Sequence, residues 1–208
     1  MLLGLLVTLA LLGGIAAVVD RVAAHFAETA IATRLKAVTG VTQAPAVTIT
    51  GWPFLTQLFA HDLTEVDVST DNYKAGSMTL AHIDLELHDA WRSSNTITAR
   101  RVIGTANVDL SELQRVTGGA LTLSTAADGL HIAATVQGQK MTGTATITVT
   151  GSQLHIVPRV TAPAKATLPP IDIPLPKLPW GVTVTAVAVT PSGLTLAATA
   201  TNVDLQKP

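Results

Sequence analysis

Apolar and polar side chains alternate with a period of two through most of the chain from about residue 45 onward. A period of two places every second side chain on the same face of an extended strand, so this pattern constrains the fold more than any other feature. The apolar residues are mostly Ala, Val, Leu and Ile, interleaved with many Thr, which is a composition typical of strands. Strands are predicted at 46–50, 63–70, 78–90, 102–110, 120–125, 129–137, 141–150, 153–160, 181–190 and 193–205.

Three short stretches place a glycine turn before an alternating strand. They are DGLHIAA at 128–134, GSQLHIV at 151–157 and SGLTLAA at 192–198. This order is typical of β-hairpins. It predicts a meandering antiparallel sheet rather than a repeat array. Between the predicted strands, residues 111–116 are predicted to form one short helix, which Asp109 or Ser111 could cap.

A proline-rich segment interrupts the strands near the end of the chain. Residues 163–179 hold six of the eleven prolines. Because proline is excluded from central strands, we expect an extended crossover or an edge segment here. A loop that covers the mouth of a cavity or binds a partner is the alternative.

The first residues form a run that carries no charge. Residues 2–19, LLGLLVTLALLGGIAAVV, would extend over roughly 27 Å as a helix, which is just enough for a thin bilayer core. Residues 1–19 are therefore predicted to be a signal anchor or a signal peptide rather than a buried core helix. No clear cleavage site precedes Asp20, so we favour an uncleaved anchor with the rest of the chain outside the cytoplasm.

Residues 20–38, DRVAAHFAETAIATRLKAV, continue with a helical period. A wide apolar face includes Phe26, Ile31 and Leu35, and Gly40 is predicted to end the helix. We expect this helix to pack on a sheet. A helix that lies along the membrane surface is the alternative.

The composition argues against several functional classes. The net charge is −1 with scattered Lys and Arg, so the chain offers no broad basic surface for nucleic acid. The chain has no Cys, which excludes disulfides and Cys-based zinc sites. No P-loop, dinucleotide-binding, hydrolase-elbow or zinc-protease motif occurs in it. No catalytic residue, metal site or cofactor is therefore predicted.

HIDLELH at 82–88 is the strongest candidate for a metal site. On a strand, the polar residues His82, Asp84, Glu86 and His88 would point to the same side. Successive side chains on one face lie roughly 7 Å apart, so at most two neighbours could bind one ion. We therefore interpret these residues as a solvated outer face whose opposite side belongs to the core.

Three of the seven aromatic residues lie in one short stretch, VTITGWPFLTQLFAHDL at 47–63. Gly51 and Pro53 predict a turn after the strand 46–50, and large apolar residues follow at helical spacing. We expect a strand, a sharp corner and one or two helical turns. This bend could be a core plug at one end of the sheet, the mouth of a cavity, or both.

Four stretches together resemble the LmeA family of mycobacterial and related cell-envelope proteins. They are VVDRVAAHFAE at 18–28, ITGWPFLTQL at 49–58, ANVDLSEL at 106–113 and PKLPWGVTVTAVAVTPSGLTLAATA at 176–200, so the resemblance covers nearly the whole chain. The bend is its most specific part. The residues that match the family motif there are Gly51, Trp52, Pro53, Phe54, Leu55, Thr56 and Gln57.

The resemblance implies an α+β, mainly β fold: an elongated, curved antiparallel sheet or barrel wrapped around an N-terminal helix, similar to tubular lipid-binding proteins. It implies that residues 20–208 form a single lipid-binding β-rich domain with no catalytic residue. The implied ligand is phospholipid in an apolar tunnel, with phosphatidylinositol-type lipids favoured. The implied location is the cell envelope, on the periplasmic side of the plasma membrane, with a role in lipomannan and lipoarabinomannan elongation.

The residues of the bend and of the preceding helix are the candidates for contact with lipid. The lipid-cavity candidates are Trp52, Phe54, Leu55, Leu58, Phe59, Phe26, Ile31 and Leu35. Within the motif, Gly51, Pro53, Thr56 and Gln57 are given a structural role. The cations that could meet a lipid phosphate are Arg100, Arg101, Lys165 and Lys177, although ordinary surface charges are the favoured interpretation.

Two other functions stay open at this level. The chain could be a membrane-anchored interaction module that stabilises an envelope glycosyltransferase without carrying lipid. A packed interior with an exposed apolar patch would favour that function. An envelope hydrolase is the third hypothesis, and it requires a base within hydrogen-bond reach of a nucleophile.

Overall fold

The computed structural model describes residues 2–93, 96–119, 121–126, 129–136, 138–163, 167–175, 178 and 181–204, with the backbone alone at 2–5, 92–93 and 96–97. The described chain is α+β and mainly β, with 57% of residues in strands, which confirms the predicted fold class. The helices are α1 (Leu2–Thr39), α2 (Phe54–Ala60) and α3 (Leu110–Val116). The strands are β1 (Ala46–Thr50), β2 (Asp62–Ala75), β3 (Met78–Ser93), β4 (Thr96–Asp109), β5 (Thr122–Ala126), β6 (Gly129–Val136), β7 (Gln139–Thr150), β8 (Gln153–Ala162), β9 (Ile171–Pro174), β10 (Thr183–Thr190) and β11 (Gly193–Asp204).

The strands form two antiparallel sheets. One has six strands in the order β1-β2-β3-β4-β11-β10, and the other is a meander of β5-β6-β7-β8-β9. Neither sheet closes on itself within the described part of the chain, so the barrel alternative is wrong. β9 comes from the proline-rich segment and lies at the edge of its sheet, which confirms the predicted edge position.

The predicted glycine turns are confirmed as hairpins. β7 pairs with β8 from Thr150 opposite Gln153, and β10 pairs with β11 from Thr190 opposite Gly193. β5 and β6 also pair, with Ala126 opposite Gly129. Because the loops are this short, sequence-adjacent strands become neighbours in the sheet, and the meander follows.

The N-terminal apolar run and the predicted helix 20–38 form one continuous helix, α1. α1 is long and apolar enough, by length and composition, to cross a membrane. It ends at Gly40 as predicted, because Gly40 adopts a positive φ of 68° and donates its N–H to the carbonyl of Lys36. Most of the described side chains in its uncharged run are exposed, whereas its second half contacts β1.

The chain divides into two compact units. Unit 1 contains residues 1–69, 85–102 and 201–208, and unit 2 contains residues 70–84 and 103–200. The main hydrophobic cluster belongs to unit 2 and draws on both sheets, with Leu80 and Leu194 from the first and Leu130, Ile132 and Ile156 from the second.

α3 is held within unit 2 by a charged pair. Glu112 accepts a hydrogen bond from the amide of Thr79, and Arg115 donates to Glu112 and to the carbonyl of Ser77. Hydrogen bonding from Arg115 dominates over burial of the carboxyl group and, with the Thr79 amide, lowers the pKa of Glu112 to about 2. Asp109, one of the two predicted cap residues, directly precedes α3, but its side chain makes no capping hydrogen bond.

Candidate functional site

The bend lies at a defined height along α1, because three sets of contacts connect the two segments. The amide of Ile49 donates to Glu28 Oε1 at 2.9 Å, and Arg21 Nη2 donates to the carbonyl of Gly51 at 2.8 Å. Asp20 then accepts from the first amides of α2. As the chain advances through β1 into the bend, its partners on α1 run backwards from 28 to 20. β1 therefore runs antiparallel to α1, towards the apolar end of that helix.

Asp20 caps α2 from 34 residues away in sequence. Its Oδ2 accepts from the amide of Phe54 at 3.0 Å, and its Oδ1 accepts from the amide of Leu55 at 2.8 Å. α2 needs this remote cap because Pro53, the residue before it, makes no side-chain cap hydrogen bond. A helix start leaves amide groups unpaired and favours negative charge, so one carboxylate satisfies both requirements.

The Asp20 carboxyl group is charged in this environment. Its side chain is almost fully buried, and burial by itself would raise the pKa. The amides of Leu55 and Phe54 and the guanidinium of Arg21 outweigh burial, so the pKa of Asp20 lies below its usual value. The buried charge is paired with three donors, which ties α1, the bend and α2 together.

Gly51 is required at the corner. Its φ is 101°, in the region that disfavours other residues, and an added Cβ would lie 2.5 Å from Gln57 Nε2. Gln57 in turn accepts a hydrogen bond from the amide of Thr64 at 3.0 Å. The predicted turn, and the one or two helical turns after it, are therefore confirmed. Thr56 is exposed on α2.

The structure separates the predicted lipid-contact residues into two groups. The inner group is buried or half-buried and consists of Ile31, Leu35, Phe54 and Leu55. Only Phe54 and Leu55 lie at the bend, since Ile31 and Leu35 lie roughly 16 and 22 Å beyond Asp20 along the axis of α1. Phe54 is the most deeply buried of them, with 1% of its surface exposed.

The outer group is exposed and consists of Phe26, Trp52, Leu58 and Phe59. Trp52 is 69% exposed and Phe59 is 80% exposed, which are high values for aromatic side chains. The wide apolar face predicted for residues 20–38 is thus divided. Ile31 and Leu35 are half-buried, whereas Phe26 is 71% exposed.

The HIDLELH segment forms histidine–carboxylate pairs. In unit 2, His82 lies between Asp71, at 2.6 Å from Nδ1, and Asp84, at 3.0 Å from Nε2. The hydrogen bond to Asp71 outweighs burial and raises the pKa of His82. In unit 1, His88 contacts Glu65 and Glu86, each at 3.6 Å. Within the described residues, no group of three or more metal-binding side chains comes together.

Two of the four candidate phosphate-binding cations are described. Arg100 is exposed and lies 3.9 Å from Asp89, and Arg101 is exposed as well. Both belong to unit 1. Lys165 and Lys177 lie outside the described residues.

Sequence reasoning assigned no role at the bend to Asp20 or Arg21. The available signals were a helix start at Phe54 with no capping side chain before it and an acidic residue directly after an apolar run. Neither signal identifies its partner, because the contacting residues are more than 30 positions apart in sequence.

A comparison with protein families shows that residues 18–199 match the LmeA-like phospholipid-binding family. The match covers most of the chain, so the chain belongs to this family, and the resemblance seen in the sequence is confirmed. Membership supports lipid binding and suggests that the protein is not an enzyme. Comparisons with curated proteins and with solved structures found no significant match.

Proposed function

We propose that this member of the LmeA-like phospholipid-binding family binds membrane phospholipid in the cell envelope and catalyses no reaction. The observation that carries the proposal is the family match over residues 18–199. α1 supports a membrane location, because its first half is apolar and exposed and the whole helix is long enough to cross a bilayer. The protein is then held on the periplasmic side of the plasma membrane.

In this proposal the inner group forms the wall against which acyl chains pack. Each CH₂ group that leaves water contributes about 0.8 kcal/mol, so a carrier needs apolar contact along a considerable length of the chain. Ile31 and Leu35 extend the apolar contact along α1 beyond the bend, where Phe54 is buried. Arg100 and Arg101 are the described cations that could meet the phosphate.

The finer parts of the proposal depend on the resemblance alone. They are a preference for phosphatidylinositol-type lipids and support of lipomannan and lipoarabinomannan elongation. The corresponding measurement is the length of lipomannan in cells that lack the protein, complemented with the natural chain or with Ile31→Asp. Restored length with the natural chain and not with Ile31→Asp is expected.

Native mass spectrometry of the full chain, followed by lipid extraction, tests the binding function. A stoichiometric phospholipid adduct is expected. Ile31→Asp places a charge at a half-buried position and should abolish the adduct, whereas Val38→Asp, at an exposed position near the end of the same helix, should retain it. Circular dichroism of both variants reports whether the fold is kept.

A lipid-free mass, with no lipid taken up from added vesicles, would refute the carrier function. That result would favour the interaction module that stabilises an envelope glycosyltransferase. The exposed outer group supports this second function, because large exposed apolar surfaces often mark interaction sites.

A further inference from the structure

The outer group at the bend has no role in the lipid-binding wall, and its position suggests a different one. Trp52, Leu58 and Phe59 expose large apolar surfaces. Leu58 and Phe59 belong to the short helix α2, and Trp52 lies just before it. Exposing several such side chains close together in sequence is costly in water. The contacts with α1 indicate what covers them.

The bend lies beside the point on α1 where the uncharged run ends. The uncharged run of α1 ends at residue 19, and the next residue, Asp20, holds the first amides of α2. Arg21 holds the carbonyl of Gly51, which directly precedes Trp52. If residues 2–19 occupy the hydrocarbon core, the residues bound to Asp20 and Arg21 lie at the level where the headgroups begin.

The direction of β1 strengthens this placement. The Ile49 amide lies at the height of Glu28, roughly 12 Å further from the apolar run than Asp20 along the helix axis. The chain therefore descends towards the bilayer through β1 and turns at Gly51, Trp52 and Pro53. The headgroup region is roughly 5–7 Å thick on each side of the core, so a corner at the height of Asp20 falls within it.

The chemistry of the outer group fits that level. Trp is enriched at membrane–water interfaces, where its apolar ring and polar N–H are both satisfied, and Phe and Leu are typical of helices that lie in the interface. We propose that the bend and the exposed side of α2 dock on the phospholipid bilayer surface, in the leaflet that α1 enters. The partner is the bilayer itself. Docking would bring α2 within reach of the lipids that the protein takes up.

This inference rests on the membrane-held α1 of the proposed function, and the test separates the two. The chain has no cysteine, so a single introduced cysteine takes up a spin label at one site. The full chain is placed in phospholipid nanodiscs with a label at Trp52→Cys, Phe59→Cys, Ile15→Cys or Val38→Cys. The collision rate of each label with oxygen and with a water-soluble nickel complex gives its depth.

The two reference positions are matched in exposure. Ile15 and Val38 are both exposed apolar residues of α1, and they lie on opposite sides of Asp20 along the helix. Val38 lies roughly 27 Å beyond Asp20, so a label there should lie in water and be fully accessible to the nickel complex. We expect the labels at positions 52 and 59 to collide with the nickel complex less often than the label at position 38. They should collide with it more often than the label at position 15.

Three results would overturn the inference. If the labels at 52 and 59 are as accessible to nickel as the label at 38 while the label at 15 is shielded, the bend does not dock, and the lipid-binding function is untouched. If the label at 15 is as accessible as the label at 38, α1 is not in the membrane, and both the anchor and the docking fail. Spin–spin broadening between labels at 59 would show that a second copy, rather than lipid, covers the surface.

Discussion

Replacing Phe54 by Ala should destabilise unit 1 severely, whereas the same replacement of Phe59 should not. Both residues belong to α2, but Phe54 is 1% exposed and Phe59 is 80% exposed. A buried aromatic side chain removes roughly 150–250 Å² from water, which corresponds to about 4–6 kcal/mol at 25 cal/mol per Å². The remaining methyl group recovers part of this, so a loss of about 3–5 kcal/mol in the free energy of unfolding is expected.

The pair of substitutions isolates burial. Both remove the same atoms from one helix, and both introduce the best helix former, so the difference in helix propensity cancels. Phe59→Ala should change the free energy of unfolding by no more than about 0.5 kcal/mol. The two differ in function as well, because Phe59→Ala should weaken the contact with the bilayer surface without harming the fold.

Urea unfolding of the full chain in detergent, followed by far-UV circular dichroism, measures both variants against the natural chain. Because the chain divides into two compact units, the loss is expected in the transition that contains unit 1. A Phe54→Ala variant within about 1 kcal/mol of the natural chain would refute the argument from burial. Equal losses for the two variants would refute the assignment of opposite faces.

Three further predictions concern ionisable groups. Asp20→Asn leaves one carbonyl oxygen for two amides, so hydrogen exchange at Phe54 or Leu55 should accelerate; unchanged protection of both would contradict the cap. The pKa of Glu112 is depressed, so its stabilising effect is present above about pH 4.5 and is lost as the pH falls towards 2; acid unfolding of Glu112→Gln should lack this component. The pKa of His82 is raised, so its contribution is complete below about pH 6.5 and is lost as the pH rises through the folded value; an NMR titration that finds no upward shift would contradict it.

The strands and the bend could be read from the sequence because their signals are local. A period of two predicts a strand from four to eight neighbouring residues, and a glycine turn predicts which strands become neighbours. β1, the hairpin β7–β8 and the short helix after Gly51 all follow from such signals. The edge position of β9 follows from its prolines, which cannot donate a ladder hydrogen bond.

The division of the candidate lipid-contact residues could not be read in this way. Phe26 and Ile31 are both large apolar residues, and both belong to the apolar face predicted for the helix at residues 20–38. Which of them is covered depends on which side of α1 the rest of unit 1 packs against, and Ile31 is half-buried whereas Phe26 is exposed. Phe54 and Phe59 are distinguished for the same reason, since Asp20 sets the rotation of α2.

By itself the sequence determined that the chain is mainly β, begins with an apolar helix, bends sharply at Gly51 and belongs to the LmeA-like phospholipid-binding family. These properties depend on residue types and short spacings, which act between near neighbours. Only the tertiary structure decided that Asp20 and Arg21 hold the bend at the end of the apolar run, and which aromatic side chains stay exposed there. Contacts between residues some 30 positions apart depend on how whole elements pack, and no local period encodes them.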